Sequence, residues 1–502
     1  MNLALRQATS RAPMTMAYKL GTGFRYNISL FLGLLTWSAM RISKGILSLS
    51  IVALTAISSV QAVAADPKED FVRAPLPPGF QVVVSDLEGP IFANEQGRTL
   101  YIWPKRNLRA GIAGEDVGKP TCGDEVVRES SGTQSPYPPG FEMPELETRP
   151  SCTAVWPPVY APDGAKPVGK WSVLKRPDGR MQWAYERRAL YTSVLDKQPG
   201  DVLGGTTLPG IGEGSAVRIP VGPESNVPGQ FNVHTTMAGR LVTLRGGASV
   251  YTYDRDGRNK SNCKDACLAE WSPVLAPSSA SRVGEDWTTF ERTPGVLQWA
   301  FRGHPVYEHP TDMKSGSQDG SDVPGWHNVY TQMVPGLPKG FALKPTIVGM
   351  VLGDAKGMTI YRYICTDDGA DQLTCDTPES PQLYRFAMCG GGDPERCLKT
   401  FPYVIAPASV SLRSPIWGTT YIDPKTGKRA TAKTPGALNV WTFRERPVYT
   451  FAGYKGYGDR KPTDINANGW GEGNAGHNGY MAIVYRDISD TRDANLGRGA
   501  GR

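Results

Sequence analysis

Six times along the chain a small or basic residue and an aliphatic one lead into a tyrosine that opens a strand-like run. The phrases are GRTLYIW at Tyr101, RRALYTS at Tyr191, GASVYTY at Tyr251, GHPVYEH at Tyr307, GMTIYRY at Tyr361 and ERPVYTF at Tyr449. Self-similarity of this kind marks structural units that bury an apolar face against their neighbours. Three further stretches, Trp171 to Trp183, Trp287 to Trp299 and Trp417 to Trp441, run from one tryptophan through a Pro/Gly turn to another. Each reads as a β-hairpin, the third with a lengthened turn. One full unit therefore holds two tyrosine phrases, and three units are expected at 72–225, 226–335 and 336–490. Val221 to Gly229 and Val334 to Gly340 are the Pro/Gly joints between them. Residues 491–502 read as a disordered tail. The expected fold is all-β: three tandem β-repeat units, each of two half-repeats. A six-bladed propeller-like ring is the alternative, although successive tyrosines are too unevenly spaced for regular blades.

Composition agrees with short strands, since 57 glycines and 42 prolines leave little room for long helix. The formal charge of +7 invites a polyanion-binding reading, so its location matters. Arg6, Arg11, Lys19, Arg25, Arg41 and Lys44 all precede residue 65 and no acid accompanies them. The remainder is nearly neutral and carries no footprint for nucleic acid. The leader itself, residues 1–64, has a basic start at Met40 to Lys44, an apolar stretch from Ile46 to Val60 and a small-x-small site at Ala62 to Ala64. That pattern predicts a signal peptide cleaved after Ala64, with translation starting at Met1 or Met40. The earlier apolar run, Ile28 to Trp37, is too short to cross a bilayer, so no span is expected in the mature chain. A periplasmic or secreted location follows.

Eight cysteines in an exported chain form a disulfide framework. Aligning Trp156 to Pro162, Trp271 to Pro277 and Phe401 to Pro407 sets Cys152, Cys267 and Cys397 at one equivalent position, four residues before the aromatic. Each has a preceding partner at a variable distance. Four local bridges are expected: Cys122–Cys152, Cys263–Cys267, Cys389–Cys397 and Cys365–Cys375. Loops of variable length with fixed anchors suit staples better than metal ligands.

The middle unit resembles a known family. Tyr251-Thr-Tyr253-Asp-Arg-Asp256, Cys263 to Pro273 and the closing Gly325-Trp326-His327 are similar to the Tyr-x-aromatic-x-x-Asp, cysteine and Gly-x-x-Trp-His segments of the bacterial "secreted repeat of unknown function" proteins, often predicted lipoproteins. The resemblance implies export and a β-rich repeat, and it implies no reaction. Ser193 stands at the aromatic position of the phrase at Tyr191, the first cysteine loop carries a long insertion, and no cysteine precedes Cys122 as a lipid attachment point.

The recurring tyrosines and tryptophans read as core, because packing repeats with the unit whereas ligand contacts need not. His304 aligns with Arg188 and Arg446, so its position takes any cation and reads as a surface strand residue. His234, His309, His327 and His477 are scattered singly. One loop has the opening of a calcium site: Asp464, Asn466 and Asn468 supply oxygen donors, Gly469 the turn and Glu472 the ninth position, but Ala475 stands where the bidentate glutamate belongs. Asp254-Arg-Asp256-Gly257 is a weaker version. No other cofactor is indicated. The expectation is a non-enzymatic exported scaffold or binding protein whose partner is an unknown ligand or envelope protein. A periplasmic enzyme or a redox or metal accessory with a loop-built site is the alternative.

Overall fold

Three central β-hairpins, Gln81–Ser85 with Gly89–Ala93, Phe231–Thr235 with Gly239–Leu244, and Ala342–Thr346 with Gly349–Gly353, recur along the chain, and the first two bury an apolar residue at the tip. Tip residues are ordinarily polar and exposed. Here Leu87 and Met237, at the first two tips, are 0% and 4% exposed. They join Ile91, Val334, Leu352, Ile360, Trp417 and Trp441 in one hydrophobic cluster that draws on all three expected units. The computed structural model describes residues 68–103, 115–124, 151–208, 218–310, 312, 315–346, 349–363, 393–410, 412, 414, 416–452 and 480–487. All belong to one compact unit, Ala64–Arg502.

The described structure is all-β, built from small antiparallel sheets of two to six strands, and none closes into a barrel. A tyrosine strand follows each central hairpin and takes the same two partners. Tyr101 pairs with Tyr191 and Pro220, Tyr251 with Tyr307 and Asn328, and Tyr361 with Tyr449 and Ala482. The first and second phrases of each expected unit are thus neighbours in space. A second hairpin lies outside this ladder in each case: Trp171–Lys175 with Met181–Tyr185, Trp287–Thr293 with Val296–Phe301, and Trp417–Ile422 with Leu438–Phe443. Phe80, Phe231 and Phe341, at the foot of the central hairpins, pack on Trp171, Trp287 and Trp417 at 4.8, 4.3 and 5.4 Å between ring centres. Such ring pairs add to the area they bury and fix the angle between the hairpins.

Among the described residues helix is confined to segments of one or two turns. Cys152–Val155, Ala266–Glu270 and Pro394–Thr400 each carry a cysteine, and the first and third are capped from Ser151 and Asp393. Cys122 is bonded to Cys152 and Cys263 to Cys267, so each bridge ties such a turn to the loop before it. Cys397 is disulfide-bonded as well. Cys365, Cys375 and Cys389 lie outside the described residues, and so do their expected pairings.

Polar contacts run between every pair of expected units. Gln332 donates to the Ser85 carbonyl at 2.7 Å, and Arg240 to Glu69, just ahead of the first unit, at 2.9 Å. Arg486 reaches both carboxylate oxygens of Asp322 at 3.0 Å. Arg444 donates to the Gly205 carbonyl at 3.2 Å and to that of Val202. The contacts close a triangle around the shared core, and the joints expected near residues 225 and 335 do not interrupt it. No described helix is long and apolar enough to cross a membrane.

Candidate functional site

All six phrase tyrosines are 0% exposed. A buried phenol needs a partner for its hydroxyl, and four of them find a carboxylate. Tyr101 donates to Asp196 at 2.7 Å and Tyr307 to Asp256 at 2.6 Å, while Tyr191 donates to Glu115 and Tyr251 to Asp312. Burial pushes the carboxyls up against the hydrogen bonds that favour their charged forms. Asp196 is raised to about 7 and Asp312 to about 6, and Glu115 and Asp256 rise in the same direction. The phenols move up too, Tyr307 to about 12, chiefly by burial and then by the adjacent acid.

The four pairs are of two kinds. Glu115 and Asp256 sit in the loop before the first cysteine and also accept backbone N–H groups, Thr121 at 2.7 Å and Asn262 at 2.6 Å. Beside them an arginine bridges the hairpin to the disulfide. Arg176 donates to Gln182 and the Cys122 carbonyl, and Arg292 to Gln298 and the Cys263 carbonyl. The corresponding positions of the last hairpin are Ile422 and Val440, both packed in an apolar cluster. Asp196 and Asp312 form the other kind, in the loops that follow Tyr191 and Tyr307.

Next to each ladder lies a slot between two aromatic rings. Strand register places Arg218, Trp326 and Tyr480 at one equivalent position. The Arg218 guanidinium lies 4.8 Å from Trp103 and 5.5 Å from Trp156. Trp326 stacks on Tyr253 at 4.4 Å and on Trp271 at 3.6 Å. Tyr480 stacks on Phe401 at 3.6 Å and meets Tyr363 edge-on at 5.3 Å. Cation, indole and phenol all fill the slot, because each interacts favourably with an aromatic face.

The sequence singled out some of these residues for other reasons. Tyr251, Tyr253 and Asp256, the three marked positions of the phrase, bond a loop aspartate, stack on Trp326 and bond Tyr307 respectively. Asp254 instead faces His327 at 2.9 Å in solvent, so the Asp254–Asp256 pair does not converge. His304 is exposed on its strand. Asp464, Asn466, Asn468 and Glu472 lie outside the described residues. Among the described residues no three His, Cys, Asp or Glu side chains group as a metal set. Sequence reading missed Asp196, Asp312, Glu115 and Arg218; the one available signal was the aspartate five residues beyond Tyr191 and again beyond Tyr307. No family model matches the chain, and no curated protein and no solved structure is significantly similar to it.

Proposed function

We propose that this chain is an exported, disulfide-stapled β-repeat scaffold of the periplasm or cell exterior that binds an envelope partner through its loops. The observation that carries this reading is the shared core with its closed set of inter-unit contacts, which makes one stiff frame from three loop-bearing segments. Loops held on a rigid frame are the usual seat of recognition. The aromatic faces that would otherwise offer sugar or base platforms are spent on one another inside the frame. Disulfides at Cys122–Cys152 and Cys263–Cys267 suit an oxidising compartment, in keeping with removal of residues 1–64 as a signal peptide. The resemblance to the secreted repeat proteins supports the same reading, since each marked position of their phrase has a packing or hydrogen-bonding role here.

Native mass spectrometry of the protein from its own host, with thiol alkylation of a denatured sample, tests the proposal. The expected result is a chain beginning at Ala65, with no alkylated cysteine and a partner bound in stoichiometric amount. A tightly bound redox cofactor, or a cysteine pair open to alkylation, would overturn it in favour of a redox accessory.

A further inference from the structure

The loops after Tyr191 and Tyr307 share one design. Each has an aspartate, a glycine four residues later and another glycine four beyond that: Asp196, Gly200 and Gly204, and Asp312, Gly316 and Gly320. Gly200 and Gly316 both adopt the left-handed conformation, at φ 87° and 74°. Asp196 and Asp312 each take a strand tyrosine's hydroxyl on one carboxylate oxygen. The other oxygen is treated differently. Asp196 Oδ1 accepts the Leu203 N–H at 2.8 Å, which closes the first loop on itself.

In the second loop the counterpart of Leu203 is Asp319, and this closure is not made. Asp312 is 8% exposed, and its Oδ1 has no hydrogen-bond partner. Ser317 Oγ, Asp319 Oδ2 and Asn328 Nδ2 are also buried and unpartnered. The residues that carry these groups gather around the Tyr251 hydroxyl. Tyr251 Oη, already on Asp312, lies 3.3 Å from the Ser317 carbonyl and accepts the Gly320 N–H at 3.2 Å, while Asn328 is the ladder partner of Tyr251. The Ser317 hydroxyl and the Asp319 charge both act on the Asp312 carboxyl. His309 Nδ1 stands 3.8 Å from Asp312 Oδ1, too far for a hydrogen bond.

Two carboxylates close enough to raise one another repel, and a bridging water would leave that repulsion in place. A cation removes it. We propose that Asp312 Oδ1, Asp319 Oδ2 and Ser317 Oγ form a binding site for a hard divalent cation of the calcium type. Rotating the Asn328 amide presents its oxygen as a fourth donor, and water completes the six to eight oxygens such an ion takes. With two carboxylates the affinity belongs in the ~0.1–1 mM range of extracellular modules. The loop after Tyr191, with Leu203 in place of Asp319, is the built-in negative control.

The test is titration of the full chain, purified in chelator and dialysed, with terbium as a luminescent calcium mimic. Trp271 lies 5.2 Å from the Tyr251 ring and 4.5 Å from that of His309, close enough to sensitise a bound lanthanide. Saturable emission displaced by millimolar calcium is expected from the wild type. Asp319→Leu and the isosteric Asp319→Asn should each weaken it at least tenfold with the near-ultraviolet dichroism of the fold retained. An Asp464→Ala/Glu472→Ala variant should keep the emission. Absence of calcium-displaceable emission, emission that both Asp319 variants leave intact, or binding of zinc without calcium would each overturn the assignment.

Discussion

Asp312 and Asp196 carry nearly the same load with different wiring, and the difference predicts opposite responses to one substitution. In Asp312→Asn the new amide nitrogen can replace the oxygen left without a hydrogen-bond partner, and the charge that Asp319 opposes is removed. Stability in chelator at pH 8 should rise. In Asp196→Asn the amide must turn a donor toward either the Tyr101 hydroxyl or the Leu203 N–H, a loss of ~1–3 kcal/mol. Denaturant melts of both variants check the pair. Both carboxyls are raised well above their unfolded value of about 3.9, so the stability they contribute is complete below that value and is lost as pH rises through about 6 and 7. Glu115 and Asp256 act with the same sign. His234, lowered by burial, acts with the opposite sign as pH falls. Asp178 and Glu224, lowered by Arg180 and Lys170, oppose only below the ordinary carboxylate range. The midpoint of thermal unfolding should therefore be a few degrees higher at pH 5 than at pH 8. A midpoint that rises with pH would contradict the assignment. Little of this was legible in the sequence beyond the recurring aspartate after Tyr191 and Tyr307 and the marked Asp256, because Asp196 bonds a tyrosine 95 residues away and Asp312 one 61 away. Spacing reports neighbours within a strand, not the loop that folds over it.

At the level of elements the sequence was far more readable. Trp171, Trp287 and Trp417 begin hairpins because a large ring at that point covers the foot of the central hairpin. The tyrosine phrases open strands whose ladder partner is the phrase that follows. The substitution inside these hairpins is an experiment already laid out. Half-buried Arg292 and buried Gln298 form a polar pair where Ile422 and Val440 form an apolar one. Arg292→Ile alone strands the Gln298 oxygen and the Cys263 carbonyl and should cost ~1–3 kcal/mol. Adding Gln298→Val should cost less than the sum of the two single changes, by ~1 kcal/mol in a double-mutant cycle. Simple additivity would count against the equivalence of the two hairpins. The tight turns leaving the hairpins offer a gain instead. Glu186 and Arg187, and Arg444 and Glu445, all have positive φ where glycine is preferred. Arg187→Gly should stabilise by ~1 kcal/mol, read as a shift in denaturant midpoint.

For the whole molecule, the strands and two of the disulfides were legible in the sequence, but not the way the expected units share a centre. Leu87 and Met237 fall in hairpin turns, where an apolar side chain is easily passed over as an ordinary surface residue, and only the assembled triangle gives them a core to enter. A core that crosses the joints makes the segments mutually dependent. Calorimetry should show one cooperative transition for residues 65–490, and residues 226–335 expressed alone should lack the near-ultraviolet dichroism of the parent. A folded 226–335 fragment would mean that the shared cluster adds little.

Glu69 shows what this arrangement asks of a chain as it is made. Its carboxylate is fastened by Ser225, Arg240 and Thr331, the last 262 positions downstream. A residue made early in synthesis thus takes its final place among the last. Until Thr331 has emerged, the amino-terminal edge has no completed seat. Any nascent chain halted before that point should be trimmed by proteases from its front end, however well the hairpins behind it have formed.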